Sequence, residues 1–382
     1  MTSRRGTGTE TPGATQRREA SGSAGGGLSR RAALGVVGAS AVAGLARPAI
    51  AQPTIEWKMA TAWPADLPGP GRSAQRICDA IAEMSDGRMR VRLFPVNELV
   101  PAGQVFDAVS SGTAQMGHAA SAYWQERMPA AVFFTAIPFG LMPHEHVTWI
   151  EQAGGQELWV KLYEPYGVRP FMGGNSGAQM GGWFTRPVAT PEDFRDLKVR
   201  MPGLGGEVMR RLGATPVSLP PGELVSSLRS GLIEAAEFLG PADDRALGFQ
   251  DVAKLYYAPG FHEPNGLSEA LVNAVAFDGL ADDLKAIVQA ACRAETLASM
   301  AEGDWRNAEA LHLLTTEDGV EVRRYPPPVL EALRATAGDV VNGYAEAGGL
   351  ERDVYKSYFR CMNKLRPWSR ATTRWFLEGR DG

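Results

Sequence analysis

Arg200 stands at the end of a predicted strand, and Pro202-Gly203 follow it, so the side chain reaches outward while the backbone turns away. A guanidinium there offers two parallel N–H groups that match a carboxylate. Gln179 lies beside Gly181 and Gly182; glycine permits close backbone approach, and the amide supplies a donor and an acceptor to a ligand or a metal. Glu237 follows two alanines at the end of another predicted strand, and Glu263 sits in a loop between His262 and Pro264. If both carboxylates flank the anion held by Arg200, two glutamates and one anion set −3 against +1, and a cation must offset the difference. The oxygen donors available are the two glutamates, the Gln179 amide and the Phe238 carbonyl. They suit Na⁺ or Ca²⁺ better than zinc, with charge slightly favouring Ca²⁺ and the identity open.

A charged hydrogen-bonded pair contributes about 1.5–3 kcal/mol, whereas micromolar binding needs about −8 kcal/mol. Arg200 therefore orients and selects, and enclosure supplies the rest. Tyr123 and Trp124, just past a predicted strand, and Trp63, after the first one, form a candidate aromatic wall for the carbon skeleton of a small ligand. Core packing explains Trp124 equally well. Glu237 and Glu263 are also the pair that an acid–base hydrolase would use. No GxSxG, Walker loop or nucleophile beside a base accompanies them. His118, His144, His146, His262 and His312 lack HExxH or triad spacing and read as structural or exposed.

What positions these groups is a chain of 382 residues, too long for one compact core, so two domains are expected. Net charge is −4, yet residues 1–51 hold seven arginines against two glutamates, which leaves −9 on the remainder and argues against a nucleic-acid partner. Cys78, Cys292 and Cys361 lie far apart without metal or redox spacing, and three thiols leave at least one unpaired.

Residues 1–27 are Gly-, Ser-, Thr- and Arg-rich with no apolar period. Ser29-Arg30-Arg31 then opens a twin-arginine signal, Leu34 to Leu45 is its apolar stretch, and Ala49-Ile50-Ala51 is a cleavage site before Gln52. The apolar run is too short to span a membrane, which takes about twenty residues. The mature protein is expected outside the cytoplasmic membrane.

Ile55 to Ala60 reads as a strand, Gly71 to Met84 as a helix, Met89 to Phe94 as a strand, Leu99 to Val109 as a helix and Ala114 to Ala120 as a strand. Lys198 to Pro202, Gly206 to Leu212, Thr215 to Leu219 and Glu223 to Arg229 repeat the plan. Phe94-Pro95-Val96-Asn97-Glu98-Leu99-Val100 before Ser111-Gly112 parallels Leu219-Pro220-Pro221-Gly222-Glu223-Leu224-Val225 before Ser230-Gly231, a weak internal repeat that sets His118 opposite Glu237. Two equivalent α/β lobes would face their strand ends across a cleft, where such sheets bind ligands.

The runs Gln179-Met180-Gly181-Gly182-Trp183-Phe184, Val199-Arg200-Met201-Pro202-Gly203, Ala235-Ala236-Glu237-Phe238-Leu239-Gly240-Pro241 and Phe261-His262-Glu263-Pro264 occur in order along the mature chain. Together they resemble the DctP-type substrate-binding subunits of tripartite ATP-independent periplasmic (TRAP) transporters, in the branch that binds 2-oxoacids or lactate. The resemblance implies an α/β, two-lobed periplasmic binding protein fold with a ligand cleft between the lobes and a long C-terminal helical region. The expected division is a signal region at 1–51, lobe I at 52–175, lobe II at 176–270, and a helical segment at 271–382 that completes the lobes and carries dimerisation helices. It also implies a non-catalytic receptor: a small monocarboxylate held by Gln179, Arg200, Tyr123 and Phe238, and a Na⁺ or Ca²⁺ held by Glu237, Phe238, Glu263 and Gln179. Membrane transporter subunits would be its partners, and a sensory role on the same fold is the other reading. One departure is Phe238, where that branch often has tryptophan; a backbone carbonyl tolerates the change, an indole N–H contact does not.

Leu350, Val354, Tyr358, Cys361 and Leu365 recur at helical spacing, widened by Tyr355, Phe359 and Met362; Pro367 breaks the pattern, and Trp368, Trp375 and Phe376 follow. Such a stripe serves either a homodimer with exchanged helices or a tail folded over its own lobe.

The export reading predicts that mass spectrometry of periplasmic protein finds a mature N-terminus near Gln52. Replacing Arg30 and Arg31 by lysine should stop export; unchanged export contradicts the twin-arginine route.

Overall fold

The computed structural model describes residues 54–382 apart from Asp66. The Arg30-Arg31 leader and its cleavage site lie outside the described residues. The strands are β1 (Ile55–Thr61), β2 (Met89–Phe94), β3 (Met116–Ala119), β4 (Val168–Asn175), β5 (Gly182–Phe184), β6 (Lys198–Arg200), β7 (Thr215–Val217), β8 (Ala235–Ala236), β9 (Leu255–Ala258), β10 (Leu267–Asn273) and β11 (Glu321–Arg324). They form two sheets. One runs β2-β1-β3-β10-β4 and the other β7-β6-β8-β5-β9-β11.

The first three strands of each sheet are parallel, in the same order, and are followed by an antiparallel fourth. The internal repeat is thus carried by topology: β1, β2 and β3 correspond to β6, β7 and β8. Between them lie α1 (Pro70–Met84) and α2 (Val105–Ser110) in the first unit, α3 (Pro143–Gln152) and α4 (Gly155–Tyr163) beyond it, and α5 (Gly203–Arg211) and α6 (Leu224–Ser230) in the second. In α1, Ala74, Ile77, Cys78 and Ile81 share one buried face, Pro70 occupies the first turn, and Asp86 and Gly87 leave the helix with positive φ. The helix expected from Leu99 is shorter, because a proline at 101 disfavours the helical conformation at Val100 before it; a 3₁₀ turn at Ala102–Gln104 leads into α2.

The remaining helices are α7 (Pro241–Leu247), α8 (Ala274–Asp278), α9 (Asp282–Thr316), α10 (Pro327–Glu346), α11 (Gly349–Ser369) and α12 (Trp375–Asp381). The chain passes between the sheets at 176–181, returns at 259–266, and crosses again in α9, whose 35 residues extend about 52 Å. That path corrects the expected division. β10, whose first residues fall in the segment expected for lobe II, is a central strand of the first sheet, and β11, in the segment expected to be helical, pairs with β9 in the second. Every residue of β10 is buried, including Ser268 and Glu269, so it shows no alternation by which a sequence would betray it.

The C-terminal stripe packs on its own chain. α10 buries Val329, Leu333, Ala337 and Val340 against the second sheet's core. α11 buries Val354, Tyr358 and Cys361 in the core around Phe133, Trp149 and Trp159, with Leu350 and Leu365 against it. The Tyr358 hydroxyl accepts the Leu141 N–H at 2.7 Å, and its ring meets Trp149 edge-on at 4.9 Å. The stripe read for exchanged helices is thereby used within one chain. Pro367 does not end α11, which runs to Ser369; a π-helical turn at Arg370–Arg374 follows, and Trp368, Trp375 and Phe376 stay exposed. All three cysteines are buried and unpaired, and burial pushes the Cys78 and Cys292 thiols up, the latter to about 12, which keeps both protonated and unreactive.

Tyr358→Ala removes a buried ring and strands the Leu141 N–H. It should destabilise the fold by about 3–5 kcal/mol in urea denaturation; a loss below about 1 kcal/mol would mean that α11 is not docked as described.

Candidate functional site

The parallel strands of both sheets end at one cleft of about 710 Å³. Trp63 and Tyr123 line it from the first sheet, Arg200, Glu237 and Phe238 from the second, and Gln179 and Glu263 from the two crossing segments. The seven residues come from six separate stretches of chain, and the topology alone brings them together.

β6 ends at Arg200 and β8 at Ala236, and the Glu237 N–H donates to the Arg200 carbonyl at 3.1 Å, so the two side chains leave adjacent strand ends. Arg200 Nη1 donates to the Glu237 carboxylate at 2.8 Å and to the Glu237 carbonyl at 2.6 Å, while Nε reaches the Leu219 carbonyl at 3.4 Å. Among the described residues Nη2 has no protein partner. The Arg200 side chain is 12% exposed and that of Glu237 3%. The second oxygen of Glu237 meets His262 Nε2 at 2.9 Å. Burial works against a charge on His262, but Glu237, with help from Glu263, outweighs it and moves the ring's pKa up. Glu237 is thus held from both sides, by the Arg200 guanidinium on one oxygen and by the His262 ring on the other.

Gln179, 5% exposed, donates through Nε2 to Glu263 at 2.9 Å, whereas its Oε1 is buried without a partner. Burial, then the nearby charge of Glu237, moves the Glu263 carboxyl up; His262, Gln179 and Arg200 oppose the shift. An orphaned amide oxygen and a carboxyl whose charge is disfavoured are unmet demands of the kind a hard cation satisfies. No backbone N–H of the described residues reaches the Phe238 carbonyl. The described residues include no group of three or more His, Cys, Asp or Glu side chains that could hold a metal. Glu237 differs from expectation most: both its oxygens are already engaged, and it supports Arg200 directly.

The aromatic wall is Trp63 and Tyr123, with ring centroids 5.8 Å apart. Trp124 turns inward and donates to the buried Glu269 at 2.5 Å, so it belongs to the core. Two histidines read as structural prove to support the site. His262 holds Glu237. His118 accepts the Trp63 Nε1–H at Nδ1 (2.8 Å) and donates from Nε2 to the Gly173 carbonyl (2.8 Å), which requires the neutral ring; burial takes its pKa down to about 4. The repeat offered the signal for both: it pairs His118 with Glu237, the residue His262 holds. His146 is a buried core residue, and His144 and His312 are exposed.

The family model for bacterial extracellular solute-binding proteins, family 7 (DctP), matches residues 59–347. The chain belongs to the DctP family. It is 36% identical, over 84% of its length and 87% of the relative's, to a monocarboxylate 2-oxoacid-binding periplasmic protein of Nostoc. Among solved structures it is similar to a TRAP periplasmic solute-binding protein of Pseudoalteromonas atlantica with bound sodium and pyruvate. Identity is 34% and the TM-score 0.80, covering 85% of this chain and 99% of that one. A TRAP solute-binding protein of Bordetella bronchiseptica, a mixed-occupancy dimer with copurified calcium and picolinate, has 33% identity and a TM-score of 0.80, with 85% and 96% covered. These DctP proteins are receptors of the two-sheet architecture seen here.

Beneath the wall, Glu269 accepts from Trp124 and from the Tyr163 hydroxyl at 2.8 Å, with burial pushing its carboxyl up to about 8 against those two donors. The folded protein holds a proton there that the unfolded chain releases near the ordinary 4.5. The stabilisation is therefore complete at low pH and is lost as pH rises through about 8. Urea denaturation of wild type and Glu269→Gln between about pH 5 and 8.5 should show their stability difference shifting against wild type as pH rises; a pH-independent difference contradicts this.

Proposed function

We propose that this protein is a periplasmic solute receptor that binds a small 2-oxoacid or 2-hydroxyacid, such as pyruvate or lactate, together with Na⁺ or Ca²⁺, and delivers it to a TRAP-type transporter. The observation that carries the reading is Arg200: a guanidinium anchored by Glu237 at the floor of a cleft, with its Nη2 edge uncommitted. A ligand carboxylate reaches that edge through Nη2 and Nε, at the cost only of the long contact to the Leu219 carbonyl. Glu237 fixes the orientation of the fork, and His262 fixes Glu237.

Pyruvate and picolinate, the ligands of the two related structures, share one feature: a carboxylate beside a second sp² donor, a ketone oxygen or a ring nitrogen. Such a pair closes a five-membered chelate on a cation. In this chain the Gln179 amide oxygen, the Phe238 carbonyl and Glu263 are the donors with capacity to hold that cation, and Glu237 adds negative charge nearby. The cation would offset these charges and draw the ligand's two donors into one plane. Trp63 and Tyr123 cover the carbon skeleton. In this reading Glu237 serves geometry and not acid–base catalysis, because both its oxygens are committed.

We assign lobe I to the sheet of β1 and lobe II to the sheet of β6, with closure about 176–181, 259–266 and α9. Export by the Arg30-Arg31 signal places the receptor in the periplasm. A homodimer uses the exposed Trp368, Trp375 and Phe376 beyond the docked stripe of α11.

Calorimetric titration with pyruvate, longer 2-oxoacids, lactate and a C4-dicarboxylate tests the assignment. Arg200→Ala should weaken 2-oxoacid binding by at least about 10- to 150-fold, the worth of a charged hydrogen-bonded pair, with the fold retained. Affinity within a few-fold of wild type would remove Arg200 from the site.

A further inference from the structure

Behind the segment that carries Glu237 and Phe238 lies another carboxylate, one that the proposed binding reaction does not touch. Asp244, in α7, is 1% exposed. One oxygen, Oδ2, accepts hydrogen bonds from Trp183 Nε1 at 2.8 Å and from the Tyr256 hydroxyl at 2.6 Å; the other, Oδ1, accepts the Leu239 N–H at 3.2 Å. Trp183 and Tyr256 are register partners on β5 and β9, and their rings stack with centroids 4.1 Å apart, so both donors stand on the rigid sheet. The Leu239 carbonyl in turn accepts the Met180 N–H at 3.2 Å. Leu239 is therefore held on both sides, by Asp244 at its N–H and by the residue after Gln179 at its carbonyl.

Burial pushes the Asp244 carboxyl up to about 7, while Tyr256, Trp183 and the Leu239 N–H favour its charged form. A buried carboxylate of this kind adds little stability over a well-packed apolar side chain. What it adds is direction, because three donors from three elements converge on two oxygens. The element it restrains is the short passage from β8 to α7, Glu237 to Gly240, which carries Glu237 and the candidate cation donor Phe238.

We infer that Asp244 is a positioning residue of the solute site: it registers the Glu237–Leu239 segment against Gln179, so that the Phe238 carbonyl and the Gln179 amide serve one cation together. The inference rests on the receptor reading above. Asp244→Asn preserves shape but leaves one acceptor oxygen, so an amide N–H must face either the Leu239 N–H or the Trp183 and Tyr256 donors. The tether to Leu239 is lost in one case and the anchor to the sheet in the other.

Two measurements test this. Hydrogen exchange of the ligand-free protein should show the Leu239 amide exchanging at least tenfold faster in Asp244→Asn, with the amides of β5 and β9 still protected. Pyruvate titrations at low and saturating Ca²⁺ should show the factor by which Ca²⁺ tightens pyruvate reduced at least tenfold, a readout that a loss of stability alone does not move. A folded variant with wild-type exchange at Leu239, or with calcium–pyruvate coupling within threefold of wild type, overturns the inference. Should Asp244→Asn fail to fold, Tyr256→Phe, which deletes one donor to Oδ2, carries the test: at least a threefold loss of coupling is expected, and unchanged coupling overturns it. Wild-type protein that binds pyruvate with neither cation overturns the receptor reading and this inference with it, whereas wild-type binding with an unaltered variant overturns the inference alone.

Discussion

The cleft is organised by one electrostatic constraint: Glu237 is buried where two sheets meet, and a buried carboxylate persists only if it is paired. Arg200 on one side and His262 on the other meet that need. The same contact holds the guanidinium pointing into the cleft at a fixed angle, which a free arginine on a strand end would not keep. Strand order follows from the same requirement, since β6 and β8 must be parallel neighbours for Arg200 and Glu237 to leave the sheet side by side. Removing Glu237 would leave Arg200 mobile; removing Arg200 would leave a charge stranded.

Around this pair the site divides its labour. In the proposed reading Arg200 selects a carboxylate, the Gln179 and Glu263 corner has oxygen donors to spare, and Trp63 and Tyr123 enclose the rest. None of these groups is set up as a nucleophile beside a base. Family membership agrees with a receptor, because DctP proteins bind solutes. The chain passes between the two sheets four times, at 176–181, at 259–266, in α9 and between α10 and α11.

Much of this was legible in the sequence because local rules and tertiary packing agree in the βαβ units. Alternation in Met89–Phe94 and the apolar face of Pro70–Met84 appear in the structure with nearly the expected limits. The repeat at Pro95 and Pro220 reported a real equivalence of two sheets, since the same turn feeds the same parallel order. What was not legible depends on distance along the chain. β10 hides because both its faces are buried. His262 looks like a loop residue until the fold sets it 2.9 Å from Glu237. The stripe from Leu350 to Leu365 is apolar whether it meets a second copy or its own lobe, and in the sequence nothing told of the Phe133 and Leu141 against which it packs in this chain.

In the proposed reading solute and cation enter this cleft as one unit, the cation offsetting charge that Arg200 alone cannot. The most direct measurement is the dissociation constant of pyruvate for wild-type protein as Ca²⁺, or Na⁺, is varied from thoroughly chelated to saturating. Pyruvate affinity should rise in proportion to free cation until the cation site is full, with pyruvate raising cation affinity by the same factor, as linkage demands. Pyruvate binding that is equally tight with and without cation would contradict it.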